Sequence, residues 1–183
     1  MGSFGSTLRG KVVSDCEIYT PTGVLAGTAD VTPVTDEGQD AIESFSVADS
    51  SWYPLDGGET TRQPRTIVGP DDMLVVVTPV PELFVHLTRY SVAVEVGPYR
   101  LVGSLLTHPG FDPEKSIARP GGSFIPLSEV TIELLGHPEA GRAERAHVHV
   151  NRYAVDHVTS PIMLGHFFPG AQLETQQVSV VTS

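Results

Sequence analysis

A pattern in the first half of this chain returns in the second. Gly23-Val24-Leu25-Ala26-Gly27-Thr28 is echoed by Tyr99-Arg100-Leu101-Val102-Gly103-Ser104 at an offset of 76, and Pro33 falls on Pro109 at the same offset. Trp52-Tyr53-Pro54-Leu55 matches Phe124-Ile125-Pro126-Leu127 at an offset of 72, and His86-Leu87-Thr88 matches His157-Val158-Thr159 at 71. Three matches in one order, separated by small changes of loop length, read as two copies of one module. The expected division is residues 1–88 for the first copy with an N-terminal tail, 89–159 for the second, and 160–183 for a C-terminal extension. Modules this small are marginal alone, so the halves are expected to share an apolar interface. No Gly/Ser-rich or Pro-rich spacer separates them, which argues for a rigid pair.

The periodicity within each copy is that of strands. Val12 to Thr20 alternates with period two, and Thr20-Pro21-Thr22-Gly23 is turn chemistry that returns the chain as Val24 to Val31. Gly27 and Gly103 each sit inside a strand pattern, where a glycine marks a bulge or a bend. Met73 to Thr78 is a short apolar run between Pro70 and Pro79, as expected of a buried central strand. Thr60 to Pro70, with Arg62 and Arg65, reads as an exposed loop, and Pro138 to Glu144 as another. Asp40 to Glu43 and Asp112 to Ile117 could each form one helical turn. In the second copy Tyr90 to Val96, Tyr99 to Thr107, Phe124 to Leu135 and Val155 to Thr159 read as strands, and Ala146 to Asn151 is matched to Met73 to Thr78. The fold class expected is all-β, as two tandem, pseudo-symmetric small barrels.

Charge narrows the function classes. With 11 basic and 22 acidic side chains the net charge is −11. That surface repels phosphate backbones and anionic lipid, so nucleic acid is not an expected partner. No apolar run approaches the ~20 residues of a helical membrane span. The start, Met1-Gly2-Ser3-Phe4-Gly5-Ser6, lacks the basic and apolar regions of a secretory signal, so a cytoplasmic location is expected; it also fits the loose pattern for N-myristoylation at Gly2. Cys16 is the lone cysteine. Flanked by Asp15 and Glu17, it reads as a small buried hydrophobe and not as a reactive thiolate.

Two strands joined at a tight turn, a central strand bending at a glycine, a polar loop, then a strand, a short turn and a closing strand resemble the small SH3-like barrel, and within it the Sm-like group. The resemblance covers roughly residues 10–88 and 89–159 and lies in strand order and spacing. It implies assembly through edge strands. The RNA binding common in that group does not carry over, because its loop of glycine and a basic residue corresponds here to Asn151-Arg152-Tyr153 and Pro79-Val80-Pro81.

Candidate chemistry is confined to histidines. His147 and His149 stand at i and i+2, which on a strand puts both imidazoles on one face, within reach of a divalent metal. His157 could join them, with Glu144 or Asp156 as a carboxylate ligand. The spacing resembles a cupin His-x-His, but the glutamate that should follow is absent. The alternative, and the favoured reading, is a solvent-facing strand surface that happens to hold two histidines. His86 and His157 recur between the copies without a serine or cysteine nucleophile nearby, as core or interface histidines would. Phosphate-loop and dinucleotide patterns are absent.

The extension carries Ile162, Met163, Leu164, Phe167 and Phe168, more apolar surface than a solvated tail needs, followed by the alternating Gln177 to Thr182. These residues are expected to dock on this chain or on a neighbour. The leading functional expectation is a non-enzymatic module without a cofactor, which self-associates or binds a protein partner through edge strands and its tail. The alternative is a metal-binding protein or metal-dependent enzyme using His147, His149 and His157.

Overall fold

The computed structural model describes residues 11–35, 44–81, 87–112 and 122–176. Strands dominate it: β1 (Val13–Tyr19), β2 (Gly23–Asp30), β3 (Phe45–Pro54), β4 (Thr61–Val68), β5 (Val75–Val77), β6 (Thr88–Val96), β7 (Tyr99–Thr107), β8 (Phe124–Leu134), β9 (Arg142–Asn151), β10 (Val155–Ser160) and β11 (Gln172–Thr175), with one short helix, α1 (Thr32–Thr35). The chain is all-β. Its strands hydrogen-bond into a single sheet in the order β11-β10-β6-β7-β8-β9-β5-β1-β2-β3-β4. The first five strands therefore lie as β5-β1-β2-β3-β4 and the next five as β10-β6-β7-β8-β9, and β9 joins the two runs by pairing antiparallel with β5.

Two apolar cores follow from this order. One holds Cys16, Ile18, Leu25, Val47, Met73 and Val76 with Phe124 from the second run. The other gathers Val94, Leu101, Ile132, Val148 and Val150 with Tyr19, Leu74 and Val75 from the first. Neighbouring residues of β5 thus serve different cores, Val75 one and Val76 the other, and both are fully buried. A three-valine strand with both faces covered has no use for alternation, which is why its sequence is continuously apolar.

The two mid-strand glycines lie at bulges. Ala26 faces Ser51 and Thr28 faces Ala48, so β3 carries an extra residue opposite Gly27; Val102 faces Thr131 and Ser104 faces Ser128, with the same surplus opposite Gly103. The surplus is taken up by Asp49 (φ 47°) and Glu129 (φ 54°), the positive-φ non-glycine residues among those described. A Cβ on Gly27 would stand 2.5 Å from the Ala48 carbonyl oxygen, and one on Gly103 would stand 2.8 Å from Val130 Cγ2. Glycine is required at both places by the close approach of the bulged strand.

Several sequence expectations need correction. Thr61–Val68 is a strand and not a loop. With β3 as its one neighbour among the described residues and Val68 as its one buried side chain, it has too little core face to impose an apolar alternation. Arg142 already begins β9 within the expected Pro138–Glu144 loop. Met73 to Thr78 and Ala146 to Asn151, read as equivalents, are hydrogen-bonded neighbours: Val75 pairs with Val150, Val76 with His149 and Val77 with Val148. Trp52 to Leu55 lies at the end of β3 against Val24 and Leu25, whereas Phe124 to Leu127 opens β8 on the far side of its bulge, so the match at offset 72 joins unlike positions. His86, Gly2, the turn at Asp40 to Glu43, the body of the turn after Asp112 and the strand expected at Gln177 to Thr182 lie outside the described residues.

Candidate functional site

The seam between β5 and β9 is built from three kinds of contact. Backbone pairing runs from Val75 to Val77 and is extended by Asn151 N donating to Leu74 O at 2.9 Å and Thr78 N donating to His147 O at 3.3 Å. Arg145 on β9 reaches across to Glu17 on β1, with Nε at 2.8 Å and a terminal nitrogen at 2.7 Å from the same carboxylate oxygen. Tyr19 and Tyr99 meet edge to face at a centroid distance of 5.3 Å, and the Tyr99 hydroxyl donates to Thr20 O at 2.9 Å. Burial pushes the phenols up, Tyr19 to about 12, so both remain neutral donors.

His147 and His149 do share a face of β9, with ring centroids 5.0 Å apart. Each Nδ1 is matched to a hydroxyl on an adjacent segment: His149 to Thr78 Oγ1 at 3.0 Å and His147 to Ser128 Oγ at 3.2 Å. Both residues are buried, which corrects the expectation of a solvent-facing surface: β5 pairs with β9 and covers that stretch of the strand. Desolvation lowers both pKa values, and with the neighbouring His147 it takes His149 down to about 3. Two neutral imidazoles bonded to hydroxyls form a polar clamp across β8, β9 and the end of β5. A base so depressed is poorly matched to proton transfer near neutral pH.

His157 is not brought to this pair. It lies on β10, with β6, β7 and β8 between it and β9 in the sheet, and its Nε2 is 3.5 Å from Glu174. Among the described residues no three His, Cys, Asp or Glu side chains converge as metal ligands. Cys16 is buried and its thiol is pushed up to about 11 by desolvation and by the charges of Asp15 and Glu17, which leaves it protonated. It borders a surface cleft of about 460 Å³ whose one arginine, Arg145, is already held by Glu17.

The two ends of the sheet differ. β4 has no neighbour beyond β3 among the described residues. At the other end β11 covers β10 in parallel, from His157 opposite Gln172 to Ser160 opposite Thr175. Between them the extension folds onto its own chain. Leu164, Phe167 and Phe168 are buried in the second core, Ile162 packs against it, and Met163 stays half exposed. Arg152 donates to His166 O at 2.5 Å and fixes that turn. Of the tail residues expected to dock on this chain or on a neighbour, Leu164, Phe167 and Phe168 dock on this chain.

The seam residues Glu17, Tyr19, Tyr99 and Arg145 were not singled out by the sequence, since an ion pair spanning 128 positions leaves no local signal. The open edge at Thr61–Val68 was hidden by its loop-like composition, and the β-branched run Thr66-Ile67-Val68 is the trace that marks it. Among protein-family models, curated proteins and solved structures, none matches this chain. No helix among the described residues is long and apolar enough to cross a membrane.

Proposed function

We propose that this chain is a non-enzymatic assembly module, a tandem pair of small units with SH3-like or Sm-like strand order, which associates with a copy of itself or with a protein partner through a sheet edge. The observation that carries the reading is the seam: the last strand in space of one run, β9, already pairs with the first in space of the other, β5. The same strand order in both runs, and a bulge at Gly27 and Asp49 that recurs at Gly103 and Glu129, support a duplication. A unit that joins its neighbour edge to edge inside the chain leaves a like edge, β4, at the end of the sheet. On that edge Ile67 is an apolar side chain that is 68% exposed.

Light scattering across a concentration series tests the reading. The expected mass rises above the 19.6 kDa of one chain as concentration increases, and Ile67→Asp lowers it. A single-chain mass at every concentration overturns the proposal.

A further inference from the structure

We infer that β11 is a removable cap over a second docking edge, β10, and that the strand it excludes is β4 of another copy of this chain. The inference rests on the assembly reading above and adds its register and its control.

The register comes from the seam. Val76 pairs with Ile18 of β1 as Val158 pairs with Val94 of β6, which aligns β5 with β10 at an offset of 82. Val68 pairs with Phe45 of β3 as Val150 pairs with Ile125 of β8, which aligns β4 with β9 at the same offset. The bulges fix these correspondences, because Ala48 and Ser128 take the same place opposite Thr28 and Ser104. Repeating the contact of β5 with β9 outside the chain then sets His157 of one copy opposite Val68 of the next, Val158 opposite Ile67, and Thr159 opposite Thr66.

The residues on β4 suit that register. Its first five residues include Arg62, Pro64 and Arg65, side chains that blunt an edge, and Pro64 has no N–H to offer. Thr66, Ile67 and Val68 are left, as many residues as Val75–Val77 bring to the seam. Ile67 takes the place of His149, which the seam buries to 6% exposure.

The same residues of β10 are now taken by β11, since His157, Val158 and Thr159 face Gln172, Leu173 and Glu174. Cap and docking strand exclude one another. The cap is short, parallel and largely exposed, with Leu173 as its apolar hold and the contact of His157 with Glu174 beside it. The buried anchors Leu164, Phe167 and Phe168 all precede it, so β11 can leave without unseating the core. The contact is head to tail, and repetition gives a ring or a filament.

The experiment compares the full chain with a chain lacking residues 172–183, each with and without Ile67→Asp, by light scattering over a concentration series, with circular dichroism confirming the fold. The trimmed chain is expected to associate at a concentration at least about tenfold lower than the full chain, a gain of roughly 1.4 kcal/mol, and Ile67→Asp abolishes the gain. Leu173→Pro in the full chain, which keeps every residue of the tail turn, is expected to act in the same direction. Thr66→Cys with Thr159→Cys in the trimmed chain forms disulfides between copies, while Thr66→Cys with Asp156→Cys does not. A folded trimmed chain that associates no more tightly than the full one, or a gain that survives Ile67→Asp, overturns the cap. If Ile67→Asp weakens association of the full chain while trimming changes nothing, the cap falls and the assembly reading stands; if no form associates, both fall.

Discussion

Replacing Gly27 or Gly103 with alanine tests the bulges on which the register depends. Neither glycine has a positive φ, so the cost of a side chain is steric and not conformational. At Gly27 the added Cβ meets Ala48 O at 2.5 Å, Val47 Cγ1 at 2.6 Å and Ser50 Cα at 3.2 Å. Two of these are backbone atoms of the bulge itself, which cannot rotate aside, so β3 must move away from β2. At Gly103 the nearest atom is Val130 Cγ2 at 2.8 Å, followed by Ser128 O at 3.1 Å. There a methyl group takes most of the strain and the backbone oxygen moves by a few tenths of an ångström. Overpacking of this kind costs about 1–3 kcal/mol, and the lower entropy of an unfolded alanine returns about 0.4–1 kcal/mol of it. Gly27→Ala is expected near a net loss of about 2 kcal/mol and Gly103→Ala near 1 kcal/mol, which in a chain of this size lowers the melting temperature by about 2–4 °C per kcal/mol. Urea unfolding measures both, with an unchanged slope showing that the denatured state is comparable. A Gly27→Ala protein as stable as the parent, or a larger loss at Gly103, would refute the steric account.

Three further outcomes follow from the seam and the tail. His149 is held at about 3 in the folded protein against 6.5 in the unfolded chain, so acid protonates the unfolded form first and stability is lost as pH falls from 6.5 toward 3. His149→Gln should flatten that part of the stability profile, and an identical pH slope in the variant would contradict the burial of a neutral imidazole. Tyr99→Phe removes the donor to Thr20 O and should cost about 1–2 kcal/mol in urea unfolding, with no loss counting against the bond. Phe168→Ala empties a site that is 1% exposed and should cost about 3–5 kcal/mol; a change under about 1 kcal/mol would mean that the tail is not part of the core.

What the sequence made legible was whatever has a local cause. Alternation marked β1 and β6 because each has a face to bury, the turns at Thr20-Pro21-Thr22-Gly23 and Gly97-Pro98 marked their returns β2 and β7, and β7 was bounded to the residue by that second turn and the polar residues after Thr107. The recurring glycines were legible because a close backbone approach tolerates nothing larger. The pairing of β5 with β9 was not, since two apolar runs that look alike can be equivalents or neighbours, and hydrophobicity alone does not choose between them. Thr61–Val68 was misread for a related reason: a strand with one neighbour among the described residues and most of its side chains exposed has the composition of a loop.

The histidines show how a chemical motif can arise from packing. Val148 and Val150 point into the second core, so the alternate positions of β9 face the other way, into the seam beside Val76. That side is also buried, yet it borders two hydroxyls, Ser128 and Thr78, which need partners once they leave water. Imidazole has an apolar edge to pack and a nitrogen that meets a hydroxyl as donor or acceptor, depending on the tautomer. Two such residues at i and i+2 therefore give both hydroxyls of the seam a partner. Among the described residues β4 has a single neighbour in place of a seam, and the positions at an offset of 82 from His147 and His149 hold Arg65 and Ile67, one charged and one apolar. The difference tracks the solvent each strand meets within a single chain. In the assembly proposed above, Ile67 is the residue on that edge that a second copy would cover.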